Sequence, residues 1–246
     1  MIHGNKKMYE FNIRINKVVI GVKTRFKENY IPCIPYLTTE EAEKVFEAYN
    51  EDLLYIHEKF PRISVARTEE IAIRDKMIEF FLKKDMSTIH AAAVAVDGKA
   101  YLFSAPCGGG KSTHVIEWKK YFGQDAEIIN GDFPMLTIEK DRVWVSGTPW
   151  CGKERLQCNK TVPVAGIAFV EKSQNNAIRV LNTSDVLKKI FFQLIMPDDK
   201  YNCMQDYITF ADRLIKTVQF YELKCNISEQ AVITAYNYMK QEDIRK

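Results

Sequence analysis

The stretch Ser104-Ala105-Pro106-Cys107-Gly108-Gly109-Gly110-Lys111-Ser112-Thr113 constrains this chain more than any other. The apolar run Lys99-Ala100-Tyr101-Leu102-Phe103 before it reads as a strand, and residues 113–122 after it read as a helix. A glycine-rich turn between strand and helix lets backbone N–H groups wrap an anion, with the positive end of the helix aimed at it. On that reading Cys107, Gly108, Gly109, Gly110, Lys111, Ser112 and Thr113 cradle a chain of phosphates. Lys111, taken as an exposed loop lysine, reaches the β- and γ-phosphates, and the Ser112 hydroxyl ligates Mg²⁺. The pattern G-x-x-x-x-G-K-[ST] is met except at its first position, where Ala105 stands. Alanine avoids positive φ, so the loop is expected to open with a different turn, set by Pro106.

A chain of 246 residues holds one large domain or two modest ones. The net charge of +3 and the lack of a basic run interleaved with aromatics argue against a nucleic-acid partner. No apolar run reaches the ~18 residues that span a membrane. Met1-Ile2-His3-Gly4-Asn5-Lys6-Lys7 has no apolar segment of signal-peptide type, so the expected compartment is the cytoplasm. Six cysteines without C-x-x-C spacing argue against a zinc site and read as free thiols.

Residues 9–15 and 18–26 read as a hairpin across Asn16-Lys17. Thr38 or Thr39 caps an expected helix over 40–59, 63–66 is a strand candidate, and 69–84 is a second helix. Residues 89–96 and 100–103 form a hairpin across Asp97-Gly98, which feeds straight into the glycine turn. Strands follow at 126–129, 136–139, 142–146, 163–171 and 220–223, with helices at 184–194, 207–217 and 228–240. The domain boundary is placed near residue 87. Residues 1–87 form an α+β segment for partner or substrate recognition, and 88–246 a nucleotide-binding domain.

Asp132 follows an apolar strand about twenty residues after the turn, where a carboxylate holds Mg²⁺ or accepts a proton from an attacking hydroxyl. A plain turn residue in Asn130-Gly131-Asp132 is the alternative. His90 opens the strand that pairs with the one before the turn; it bonds a phosphate or tunes Asp132, or is a structural histidine bonded to backbone. His57 and His114 read as helix-surface residues. In Gly147-Thr148-Pro149-Trp150-Cys151-Gly152-Lys153-Glu154, Lys153 supplies a catalytic positive charge, and Glu154 or Arg155 helps place a substrate.

His90-Ala91-Ala92-Ala93, Gly110-Lys111-Ser112-Thr113, Ile128-Ile129-Asn130-Gly131-Asp132 and the loop from Gly147 to Lys153 come in this order. Together they resemble the HPr kinase/phosphorylase-like P-loop kinases, related in fold to phosphoenolpyruvate carboxykinase, and more narrowly the small bacterial members. The resemblance covers about residues 88–240. It implies an α/β core of the HPr kinase C-terminal-domain type, use of ATP and Mg²⁺, and phosphoryl transfer to a hydroxyl, often a serine of a protein or peptide. It matches Lys111 and Ser112 to phosphate and metal residues, Asp132 to the catalytic acid and metal position, and His90 to the pre-loop histidine. Gly131 stands where the family often has a second acid, and HPr kinase's own C-terminal signature is absent. The expected activity is therefore an ATP-dependent kinase acting on a peptide or protein, a precursor peptide among the candidates. A small-molecule kinase of the same fold and a nucleotide-regulated binding module are the alternatives, and the oligomeric state is left open.

Overall fold

The computed structural model describes residues 8–196 and 203–244; the signal-peptide reading of Met1 to Lys7 lies outside them. The chain divides into two compact units, residues 1–80 and 81–246. In the first, β1 (Tyr9–Ile15) and β2 (Val18–Thr24) form the expected hairpin, turning at Asn16 with φ 55°. After α1 (Lys27–Tyr30) come β3 (Leu37–Thr38) and β4 (Lys44–Glu47), giving the sheet order β3-β1-β2-β4.

The helix expected over 40–59 is wrong in its first half. Residues 44–47 are strand β4, parallel to β2 with Val22 opposite Phe46. Phe46 is buried while Val45 is half exposed, which is the period of a strand rather than a helix. Helix α2 (Asn50–Lys59) starts only at Tyr49, whose backbone N–H donates to Asp52 Oδ2 at 2.9 Å. The strand expected at 63–66 is instead the entry to α3 (Val65–Leu82), where the Thr68 hydroxyl donates to the Ser64 carbonyl at 3.1 Å. Glu69 of α3 is buried, but its carboxylate accepts from the Arg25 guanidinium at 3.0 Å and Asn29 Nδ2 at 3.1 Å, so its charge is compensated.

The second unit is built on a sheet of nine strands among the described residues. They are β5 (Met86–Thr88), β6 (Ala91–Val96), β7 (Lys99–Ser104), β8 (Ala126–Asn130), β9 (Met135–Glu139), β10 (Arg142–Ser146), β11 (Thr161–Lys172), β12 (Ala177–Val180) and β13 (Phe220–Cys225). The order is β5-β9-β10-β11-β7-β6-β8, with β13 pairing β11 and β12 pairing β13. Asp97 and Gly98, at φ 51° and 74°, make the tight turn between β6 and β7. Strands β7, β11 and β13 run parallel, so their carboxyl ends open on the same edge. Helix α4 (Lys111–Phe122) follows β7 directly. The remaining helices are α5 (Thr183–Ile190), shorter than the expected 184–194, α6 (Met204–Thr217) and α7 (Glu229–Ile244).

One face of this mixed α/β unit buries Tyr101, Phe103, Val115, Trp118, Tyr221, Val232 and Met239 in a single cluster. Each such side chain contributes roughly 1.5–3 kcal/mol by leaving water. Ala92 presents a low side chain on the face of β6 that joins this cluster, and α4 packs against that strand. No helix among the described residues is long and apolar enough to cross a membrane.

Candidate active site

Strand β7 ends at Ser104, and the chain reaches α4 through six residues. Ala105 is buried and is not among the residues with positive φ, so its methyl group causes no backbone strain. The turn opens at Pro106, whose carbonyl accepts from Gly109 N–H at 2.9 Å. The small-residue requirement has moved along the loop. A Cβ on Gly109 would fall 2.6 Å from that of Ala105, and Gly110, with φ 102°, caps α4 in the left-handed region. The first N–H groups of α4 have no intrahelical partner and sit at the positive end of its dipole, and the glycine cap offers no side chain to meet them. Cys107 and Gly108 are exposed on the same turn.

Lys111 is not an exposed loop lysine; it is 6% exposed. Its Nζ lies 2.8 Å from His90 Nε2, 3.3 Å from the Ala105 carbonyl oxygen and 3.7 Å from Asp132 Oδ1. Burial pushes its pKa below the ordinary lysine value, opposed chiefly by the Asp132 charge. His90 Nε2 is also 3.1 Å from Asp132 Oδ1. One ring nitrogen cannot accept from Lys111 and donate to Asp132 at once, so a proton in this triad has two alternative placements.

The pairing of Ala91 with Ser104 explains why His90 arrives here: it is the residue just beyond the last rung, level with the start of the glycine turn. It is then fixed from three directions. Its N–H donates to the Gln193 carbonyl at 2.7 Å, and its carbonyl faces the Ser104 hydroxyl at 2.8 Å. Its ring stacks on Phe133 with centroids 5.4 Å apart.

Asp132 is placed by Asn130, which is fully buried. Asn130 Oδ1 accepts from the N–H groups of Asp132 and Phe133, both at 2.8 Å. Its Nδ2 donates to the Thr148 carbonyl at 3.1 Å and faces the Trp150 carbonyl at 3.3 Å. The loop after β10 is thereby drawn against Asp132, where a Cβ on Gly152 would come within 3.1 Å of the aspartate's own Cβ. The Ser112 hydroxyl points to the Gly131 carbonyl at 3.4 Å. Lys153 is exposed on the turn just past Gly152 and stands outside the His90–Lys111–Asp132 cluster.

A cavity of about 420 Å³ lies in front of the glycine turn. Its walls are the turn itself with Lys111, Ser112 and Thr113, then Glu154, and on the far side Val170, Lys172, Ser173, Cys225, Asn226 and Ile227. These far residues lie at or just beyond the carboxyl ends of β11 and β13, the edge of a parallel sheet where ligands bind. His114 also lines it, and it is buried rather than on the helix surface. Its Nε2 accepts from Trp118 Nε1 at 3.0 Å, and burial lowers its pKa to about 4, so it is neutral. His57 is exposed, as expected.

The sequence pointed to His90, Lys111, Ser112 and Asp132, and the fold brings these together. It did not mark Asn130, Ser104, Gln193 or Phe133 as site builders. Asn130 carried a usable signal, since an asparagine side chain commonly accepts from N–H groups two residues on.

No family model matches this chain, and no curated protein matches it. Among solved structures it is similar to the Hpr(Ser) kinase/phosphatase from Coxiella burnetii. The identity is 11%, the match covers 63% of this chain and 95% of that one, and the TM-score is 0.36. The likeness is a distant one of fold, and no residue role follows from it.

Proposed function

We propose that this chain is a P-loop phosphotransferase that moves the γ-phosphoryl group of ATP to a hydroxyl, foremost a serine of a peptide or protein. The observation that carries the reading is the meeting of His90, Lys111 and Asp132 at the foot of a glycine turn that opens on a cavity. A lysine kept in a buried place at a cost to its charge is suited to an arriving anion, and the N–H groups at the start of α4, which no cap side chain meets, suit the same anion. The cavity volume lies within the ~300–1,000 Å³ usual for small-molecule sites.

The donor set fits magnesium that arrives with the nucleotide, since such an ion takes one or two protein oxygens besides phosphates. Ser112 supplies a hydroxyl, and the carboxylates of the site are those of Asp132, next to Gly131, and Glu154 on the cavity wall. Mg²⁺ held there would neutralise charge on the phosphates. Residues 107–113 bind the phosphate chain, and Lys111 holds its terminal end. Asp132 accepts the proton of the attacking hydroxyl, and His90 orients that carboxylate and shares the proton. Lys153 stabilises charge on the acceptor side, from a loop that Asn130 ties to Asp132. Residues 1–87 recognise the acceptor or a partner, and 88–246 carry the chemistry.

The test is Asp132→Asn, followed as ADP release with water, free serine and serine-containing peptides as acceptors. The variant is expected to bind ATP and to lose roughly 10²–10⁴-fold in turnover. A wild-type chain that binds no ATP, or an Asp132→Asn variant with wild-type turnover, refutes the proposal.

A further inference from the structure

Gly131 leaves one carboxylate at the end of β8, and a single group serves poorly as metal ligand and proton acceptor together. Asp132 already faces two basic groups, His90 Nε2 at 3.1 Å and Lys111 Nζ at 3.7 Å. A divalent cation bound to the same oxygen would meet the lysine's charge at short range. The wall of the cavity offers a different acid. Glu154 lines it together with Ser112 and Thr113. It sits two residues past Gly152, whose backbone lies against Asp132, so the chain turns from the aspartate into the cavity over a single step. Glu117 also lines the cavity, but it lies further along α4 and is paired with Lys120 at 2.6 Å.

Resting on the phosphotransferase reading, we propose that Glu154 and the Ser112 hydroxyl hold the divalent cation that accompanies the nucleotide, leaving Asp132 free to take the acceptor's proton. Both donors are hard oxygens, the kind magnesium selects. The Gly131 position then costs the site nothing, because the second acid comes from the loop after β10 rather than from the end of β8. Asn130 joins those two segments, bonding the Asp132 N–H at the end of β8 and the Thr148 carbonyl in the loop after β10.

The test is the linkage between cation and nucleotide, read as ATP affinity by calorimetry with Mg²⁺ and with a chelator, in wild type, Glu154→Gln and Asp132→Asn. Glu154 is exposed, so its substitution leaves the fold intact, which thermal melting checks. The enhancement of ATP affinity by Mg²⁺ is expected to fall roughly tenfold or more in Glu154→Gln, with affinity in chelator unchanged or tighter. Asp132→Asn is expected to keep the enhancement. A wild-type enhancement in Glu154→Gln overturns the assignment, and so does its loss in Asp132→Asn alone. In either case ATP binding by the wild type leaves the phosphotransferase reading standing, whereas a wild type that binds no ATP overturns both.

Discussion

Lys111→Met separates a lysine kept for a ligand from one kept for the fold. Methionine retains most of the buried stem and removes the ammonium group. In the free protein that group is 2.8 Å from His90 Nε2 and 3.7 Å from Asp132 Oδ1, yet burial outweighs these partners and lowers its pKa. A base whose pKa is lower folded than unfolded opposes folding while it is charged. Its charged form therefore costs stability at neutral pH, and the methionine variant is expected to melt at the same temperature as wild type or higher. The unfolded state binds more protons than the folded one between the lowered pKa and the ordinary lysine value of 10.5. Wild-type stability relative to the variant thus rises across that window, and the variant's advantage shrinks as pH approaches 10.5.

Binding should move the other way. A hydrogen bond between a charged donor and phosphate is worth about 1.5–3 kcal/mol, so ATP affinity is expected to fall about 10- to 150-fold. Calorimetric titration with ATP·Mg²⁺ and melting from pH 7 to 10 read both quantities on one preparation. A variant that melts well below wild type while binding ATP equally would refute the reasoning and make Lys111 a structural residue.

Two further expectations concern the supports of the site. His114 is neutral in the fold with its pKa near 4, against 6.5 unfolded, so it contributes stability above pH 6.5 that is lost as pH falls toward 4, up to about 3 kcal/mol. His114→Gln should flatten that part of the stability profile in denaturant melts, and an unchanged slope would show that other groups set it. Asn130→Asp keeps the acceptor for the Asp132 and Phe133 N–H groups but turns a carboxylate toward the Thr148 and Trp150 carbonyls. It should cost about 3–5 kcal/mol by melting, as a buried charge with no opposite charge beside it does, and a near-neutral result would mean the loop after β10 is held by other means.

The strand–turn–helix at the heart of the site was legible because everything that specifies it is local. Three glycines, a preceding apolar strand and a following amphipathic helix lie within one short stretch, and Asp97-Gly98 sets the hairpin before it. The first unit was harder. Thr38-Thr39-Glu40-Glu41 is a sound helix-start signal, but the partner strand β2 lies about twenty residues earlier and offers Phe46 a buried place, so tertiary pairing overrides the local preference. His114 was readable in principle, since it precedes Trp118 by one helical turn and shares its buried face. The roles of Ser104 and Gln193 were not, because they meet across 89 positions of sequence. Nor do three consecutive charges at 153–155 say which of them turns into the cavity; only the path of the loop past Asp132 selects Glu154.

That path turns on a single amide. Asn130 stands at the end of β8, where the chain must leave the sheet, and it satisfies two N–H groups that the departure would otherwise leave bare. The same side chain has two donors left, and they close on carbonyls of the loop after β10. The Thr148 hydroxyl completes the join by donating to the Phe133 carbonyl at 2.7 Å. Neither segment is regular structure, yet both are held to the sheet, and through the sheet to β6, where Ala91 N–H donates to the Asp132 carbonyl at 3.0 Å. A site needs its carboxylate fixed within about half an ångström of its working position, which loops alone do not provide. Here the rigidity comes from strand ends cross-linked by buried amide hydrogen bonds. A change at Asn130 should therefore disturb Asp132 and the 148–155 loop together, even though it touches neither the cavity nor the glycine turn.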